Sequence, residues 1–193
     1  MTDYSSYHSL TCTTKGIAFI GGNHTDVSEI VELDITSNKV NVLSRQGVVN
    51  FPQGTFSTPQ TIRYKTNDDA NGYANFYPPA HPDWQGIEGE LPPLLVVSHG
   101  GPTGAASRDL SLRTQYYTSR GWAVLDVNYG GSTGFGRAYR ERLNGNWGKV
   151  DVEDCVAGVH HLATNHLIDI NRVAIRGGSA GGYTTCLLYT SDA

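Results

Sequence analysis

The sequence predicts an α/β fold: a parallel sheet with helical crossovers, preceded by an antiparallel β-rich segment. Three observations carry this. Short apolar runs stand at 94–97, 122–127 and 172–176, as strands covered on both faces require. Helix-compatible stretches separate them, and strand–helix–strand order at this spacing gives parallel pairing. Ahead of residue 60 the apolar residues alternate instead, the period of half-buried antiparallel strands.

The elements follow in order. Residues 16–20 form a short apolar strand closed by Gly21 and Gly22; 28–35 alternate, 36–39 turn, and 40–43 return. Such a sheet cannot bury both faces alone. Residues 60–66 and 73–77, joined by a turn over 67–72, read as a hairpin. A Pro/Gly-rich loop spans 78–93. After the strand at 94–97, residues 107–120 are helix-compatible, with Gly121 a natural stop. Asp151 is placed to cap the next helix, with Asp154 at the capping-box position. Val152, Val156, Val159, Ala163 and Leu167 share one face of it. The boundary between the two parts falls near 44–60, which divides the chain into a β-rich segment, 1–50, and an α/β part, 51–193.

Composition narrows the function. A hydrophobic share of 38% with 10% aromatics suits a packed core. No apolar run approaches the ~18 residues of a membrane span, and residues 1–10 carry no signal-peptide pattern. Residues 1–90 hold 5 Lys/Arg against 10 Asp/Glu, and residues 91–193 hold 9 against 8, so no basic stripe marks a nucleic-acid partner. Cys12, Cys155 and Cys186 form neither a disulfide framework nor a CxxC pair, which points to a reducing, cytoplasmic setting. Asn23-His24-Thr25 fits a glycosylation sequon, and Gly22-Asn23 also reads as a turn. His160, His161 and His166 read as surface or core-edge residues, and Cys155 as a small buried filler. No metal or cofactor is expected.

Two segments can carry chemistry. Gly177-Gly178-Ser179-Ala180-Gly181 matches G-x-S-x-G, directly after an apolar strand and ahead of a helix-compatible stretch. A nucleophile on a sharp strand-to-helix turn needs small neighbours, and the helix N-terminus behind it favours developing negative charge. Ser98-His99-Gly100-Gly101-Pro102 follows the first buried strand, where an oxyanion-side loop belongs. The expected oxyanion donors are therefore the N–H groups of Ala180 and of Gly101 or Gly100, with Gly101 preferred. Residues 128–136 (Asn128 to Gly136) fit neither G-x-G-x-x-G nor a phosphate loop. They read as a demanding loop packed beside the site, with Arg137, Arg140 and Arg142 structural or solvated.

These segments, with Trp147-Gly148-Lys149 and Asp151-Val152-Glu153-Asp154, resemble the prolyl oligopeptidase family of serine peptidases. The likeness is greatest to its acylaminoacyl-peptidase/dipeptidyl-aminopeptidase branch and runs over residues 16–185. The resemblance implies a truncated α/β-hydrolase fold preceded by the end of a β-propeller, with residues 16–44 in the last blade. It also implies a peptide substrate cleaved through an acyl-enzyme. In this architecture Asp or Glu and then His follow the serine. The 14 residues after Ser179 contain Asp192 and no His, so these 193 residues are expected to be inactive alone. Residues 186–193 resemble translated adapter sequence, and the family likeness is expected to lapse after Thr185. A carboxylesterase shares the elbow and oxyanion loop but has no reason to carry the leading β segment. A non-catalytic interaction module would leave both motifs without a purpose.

Overall fold

The computed structural model describes residues 4–45, 52, 54–67 and 69–191. The chain is α/β, with two separate sheets in two compact units. One unit comprises Met1–Gln53 with Ser107–Arg113, the other Gly54–Ala106 with Thr114–Ala193. Most of the expected boundary, Asp68 of the hairpin turn, and Asp192 lie outside the described residues.

The first unit is a four-stranded antiparallel meander of β1 (Ser6–Cys12), β2 (Gly16–Gly22), β3 (Glu29–Asp34) and β4 (Lys39–Arg45), each paired with its neighbour in sequence. The three strands read from sequence are present. β1 escapes that reading because its residues are nearly all exposed, so no apolar alternation marks it. Phe19 and Val31 are buried, and the rings of Tyr4 and Tyr7 pack on Phe19. Asn23 Oδ1 accepts the backbone N–H groups of Thr25 and Asp26, which makes the sequon a side-chain-closed turn.

Ser107–Arg113 packs within this unit. Asp109 accepts from Ser6 Oγ and pairs with His8 Nε2 at 3.2 Å, and the Leu110 N–H reaches the Asn23 carbonyl at 2.7 Å. The helix expected over 107–120 is accordingly shorter: α1 spans Leu112–Thr118, because the preceding residues spend their polar groups on the meander.

The second unit holds a five-stranded sheet in the order β5-β6-β8-β7-β9, from β5 (Gln60–Lys65), β6 (Asn71–Tyr77), β7 (Leu94–Ser98), β8 (Ala123–Asn128) and β9 (Val173–Gly177). β5 and β6 form the expected hairpin. It joins the sheet through an antiparallel β6–β8 pair, while β7 runs parallel to both β8 and β9. β7 and β8 are buried as their apolar runs require. β9 is not: it lies at the sheet edge, and Val173 is 39% exposed.

Three further helices complete the unit: α2 (Arg137–Glu141), α3 (Val150–Thr164) and α4 (Ala180–Ser191). α3 corrects the sequence reading twice. Its N-cap is Lys149, without a side-chain cap, and Asp151 lies inside the first turn. Its buried residues are Asp151, Asp154, Cys155, Ala157, Gly158 and Leu162; of the expected face Val159 and Ala163 pack against the core while partly covered, Val152 and Val156 are partly covered, and Leu167, beyond the helix, is 42% exposed. Small residues set this face. A Cβ on Gly158 would stand 2.9 Å from Leu125 Cδ2 and 3.2 Å from the Tyr64 ring, so glycine lets the helix lie close against the sheet. Among the described residues no helix is long and apolar enough to cross a membrane.

Candidate active site

Ser179 stands in the two-residue step between β9 and α4. Its φ is +55°, a left-handed backbone that costs a non-glycine residue free energy and persists only where its surroundings enforce it. The surroundings do so by contact. A Cβ on Gly177 would collide with the Gly181 carbonyl, and one on Gly181 with the Ser98 carbonyl. The two glycines flanking the serine at i−2 and i+2 are therefore required by close backbone approach. The Gly181 N–H closes the turn onto the Gly178 carbonyl at 3.0 Å. Ser98 Oγ, buried at the end of β7, donates to the Gly181 carbonyl at 2.8 Å and ties the elbow to the neighbouring strand.

The result is an exposed Ser179 followed by a buried Ala180 at the first position of a 12-residue helix. Gly100 lies alongside: a Cβ there would be 3.0 Å from the Gly178 carbonyl and 3.5 Å from Ser179 Cβ. Gly101, next in the chain, has φ +61°. The fold thus brings the two sequence-predicted segments together, with the Gly100-Gly101 turn beside the serine.

The loop at 128–136 braces that turn. The Tyr129 hydroxyl donates to the His99 carbonyl at 3.0 Å, the Thr133 N–H to the Gly104 carbonyl at 2.8 Å, and the Ala106 N–H to Asn128 Oδ1 at 2.8 Å. The His99 ring stacks on Tyr129 at 4.3 Å between centroids. Its Nε2 lies 2.7 Å from Ser132 Oγ and its Nδ1 3.0 Å from the Gly100 carbonyl. Burial pushes this imidazole below its ordinary range, with the Gly100 and Gly101 carbonyls pulling the other way. His99 therefore belongs to the loop. Among the described residues no side chain hydrogen-bonds Ser179 Oγ.

Two buried carboxylates, which the sequence pattern presents as helix caps, lock the second layer. Asp154 accepts hydrogen bonds from Arg142 Nη1 and Nη2, at 2.9 and 3.1 Å, and from the Gly130 N–H at 2.7 Å. Asp151 accepts the Gly148 N–H at 2.7 Å and the Thr184 hydroxyl at 2.5 Å, which fixes α4 behind the elbow. Arg142 is thus structural, as expected. His160 and His166 are exposed and His161 is half-buried.

A serine on a strained strand-to-helix turn, beside a glycine turn with free approach, is an arrangement that hydrolases use for acyl transfer. Residues 108–193, somewhat less than half of the chain, match the model of the prolyl oligopeptidase family. The match runs past Thr185, where the likeness was expected to lapse. The chain is 37% identical over 97 residues to the acylamino-acid-releasing enzyme of Arabidopsis thaliana, which covers 50% of this chain and 13% of that one. It is 39% identical over 103 residues to dipeptidyl aminopeptidase BIII of Pseudoxanthomonas mexicana, covering 52% and 15%. It also superposes on the structure of a puromycin-hydrolysing peptidase of Mycobacterium tuberculosis with a TM-score of 0.92 at 42% identity, covering 97% of this chain and 29% of that one. The chain therefore spans less than a third of each of these relatives.

Proposed function

We propose that this chain supplies the nucleophile and oxyanion site of a serine-type peptidase. Ser179 Oγ attacks the scissile carbonyl of a peptide, and the Gly101 and Ala180 N–H groups hold the oxyanion of the tetrahedral intermediate. The acyl-enzyme then hydrolyses. No step asks for a metal or organic cofactor. In this reading residues 1–50 are the end of a β-propeller and 51–193 the N-terminal part of an α/β-hydrolase domain.

The observation that carries the reading is Ser179 at φ +55° with Gly100 against it, since packing alone gives no reason to strain an exposed serine. Among the described residues no side chain hydrogen-bonds Ser179 Oγ as a general base would. The 193 residues alone are accordingly expected to show no peptidase turnover, because losing a triad member costs orders of magnitude in rate.

The test puts residues 54–191 in place of the matching segment of the Mycobacterium tuberculosis puromycin-hydrolysing peptidase. The chimera is expected to cleave puromycin, and Ser179→Ala to reduce that rate by about a thousandfold or more. A chimera that melts cooperatively yet cleaves as well with alanine at 179 would refute the assignment.

A further inference from the structure

A row of close polar contacts crosses the loop beside the elbow. Ser132 is fully buried, with Oγ 2.7 Å from His99 Nε2 and 2.8 Å from the Tyr129 carbonyl. At the far side of the imidazole, Nδ1 stands 3.0 Å from the Gly100 carbonyl. The row thus reads carbonyl, ring, hydroxyl, carbonyl, and each of its three links needs a proton.

Proton supply decides which links are hydrogen bonds. Burial holds the ring below its ordinary range, so at pH 8 it is neutral. A neutral imidazole brings one N–H and accepts at its other nitrogen, the hydroxyl brings one O–H, and the carbonyls bring none. Two protons therefore serve three links. With the ring proton on Nε2, the bare Nδ1 faces the Gly100 and Gly101 carbonyls, acceptor against acceptor. With it on Nδ1, that nitrogen donates to the Gly100 carbonyl, and Nε2 accepts the Ser132 O–H. The link given up is then the one from Ser132 Oγ to the Tyr129 carbonyl, which keeps the Ser132 N–H at 2.9 Å. The second arrangement strands no ring nitrogen against a carbonyl and is the one the contacts favour.

We propose that Ser132 is a positioning residue whose hydroxyl donates to His99 Nε2 and so fixes the ring as its Nδ1–H tautomer. The effect reaches the elbow through one peptide group. The Gly100 carbonyl and the Gly101 N–H belong to the same planar trans unit and point in opposite directions, so the donor that holds the carbonyl also aims the N–H. Without the Ser132 hydroxyl the ring proton is no longer confined to Nδ1, and the Gly100 carbonyl loses its donor for part of the time. The consequence for catalysis rests on the peptidase reading; the tautomer does not.

The experiment has two arms. Protein labelled with ¹⁵N-histidine is read at pH 8 by long-range ¹H–¹⁵N correlation, which separates protonated from bare ring nitrogens, and the signals missing from His99→Asn identify the ring. The parent should show His99 with Nδ1 protonated and Nε2 bare, and Ser132→Ala should shift part of the population to Nε2–H. In the puromycin-cleaving chimera, Ser132→Ala should lower kcat about tenfold with KM nearly unchanged, since the Gly101 N–H acts on the oxyanion and not on ground-state binding. The two failures are distinct. Cleavage that survives Ser179→Ala refutes the peptidase reading. A parent ring protonated on Nε2, a tautomer that Ser132→Ala leaves unchanged, or a shifted tautomer with kcat intact would overturn the proposal.

Discussion

Asp126 gives the sharpest test of the energetics. It stands in β8, the middle strand of the five-stranded sheet, opposite Asn75 on β6 and Val97 on β7. No cation is paired with it among the described residues, so burial alone acts on it. Burial penalises the charged form and pushes the carboxyl from its ordinary 3.8 up to about 7. That displacement corresponds to about 4 kcal/mol held against the carboxylate, with roughly 3 kcal/mol expected once the partial access of the side chain to water is counted. The sign follows from proton counting. Between pH 4 and pH 7 the folded chain holds the proton that the unfolded chain has released, so stability falls as pH rises through that window. It is level on either side. Asp126→Asn removes the titrating group and keeps its shape. Urea unfolding of both proteins at pH 4, 5, 6, 7 and 8 is the assay, read as the difference between variant and parent, which cancels every other titrating group. From pH 4 to pH 8 that difference should move by about 3 kcal/mol in favour of the variant. A difference that stays within about 1 kcal/mol across the range would refute the reasoning.

Two further outcomes are expected. Asp154→Ala leaves the Arg142 guanidinium, 16% exposed, without its carboxylate and the Gly130 N–H without its acceptor; it should cost about 3–5 kcal/mol by denaturant unfolding, and a loss below about 1 kcal/mol would contradict the buried geometry. Cys155 is buried and its thiol pushed well up by desolvation, whereas Cys12 and Cys186 are exposed. A thiol-reactive reagent should therefore titrate two cysteines in the native chain and the third only in denaturant, and rapid native labelling of Cys155 would show the core packing to be wrong.

Local pattern explains what could be read before the structure. The apolar runs at 94–97 and 122–127 are continuous because both faces are covered, and such runs are visible without partners. The elbow was legible for the same kind of reason: the glycines at 177 and 181 are demanded by the backbone within a few residues of Ser179. β1 and the edge position of β9 were not legible, since exposure is a property of the neighbours a strand acquires. The roles of Asp151 and Asp154 were hidden too. A short acidic pattern before an apolar run looks like a cap, and only the arrival of Arg142, Gly130 and Thr184 turns these carboxylates into buried anchors.

The sequence by itself marked the strands of the second unit, the helical stretches of α1, α3 and α4 but not the five-residue α2, and the serine on its turn, because backbone sterics and side-chain period act over a handful of residues. The tertiary structure decided which groups stand together: Gly100 against Ser179, and His99 on Tyr129 and Ser132 rather than on the serine. Those pairings join residues from about 30 to 80 positions apart, and sequence spacing carries no information about contacts made by chain closure over such lengths.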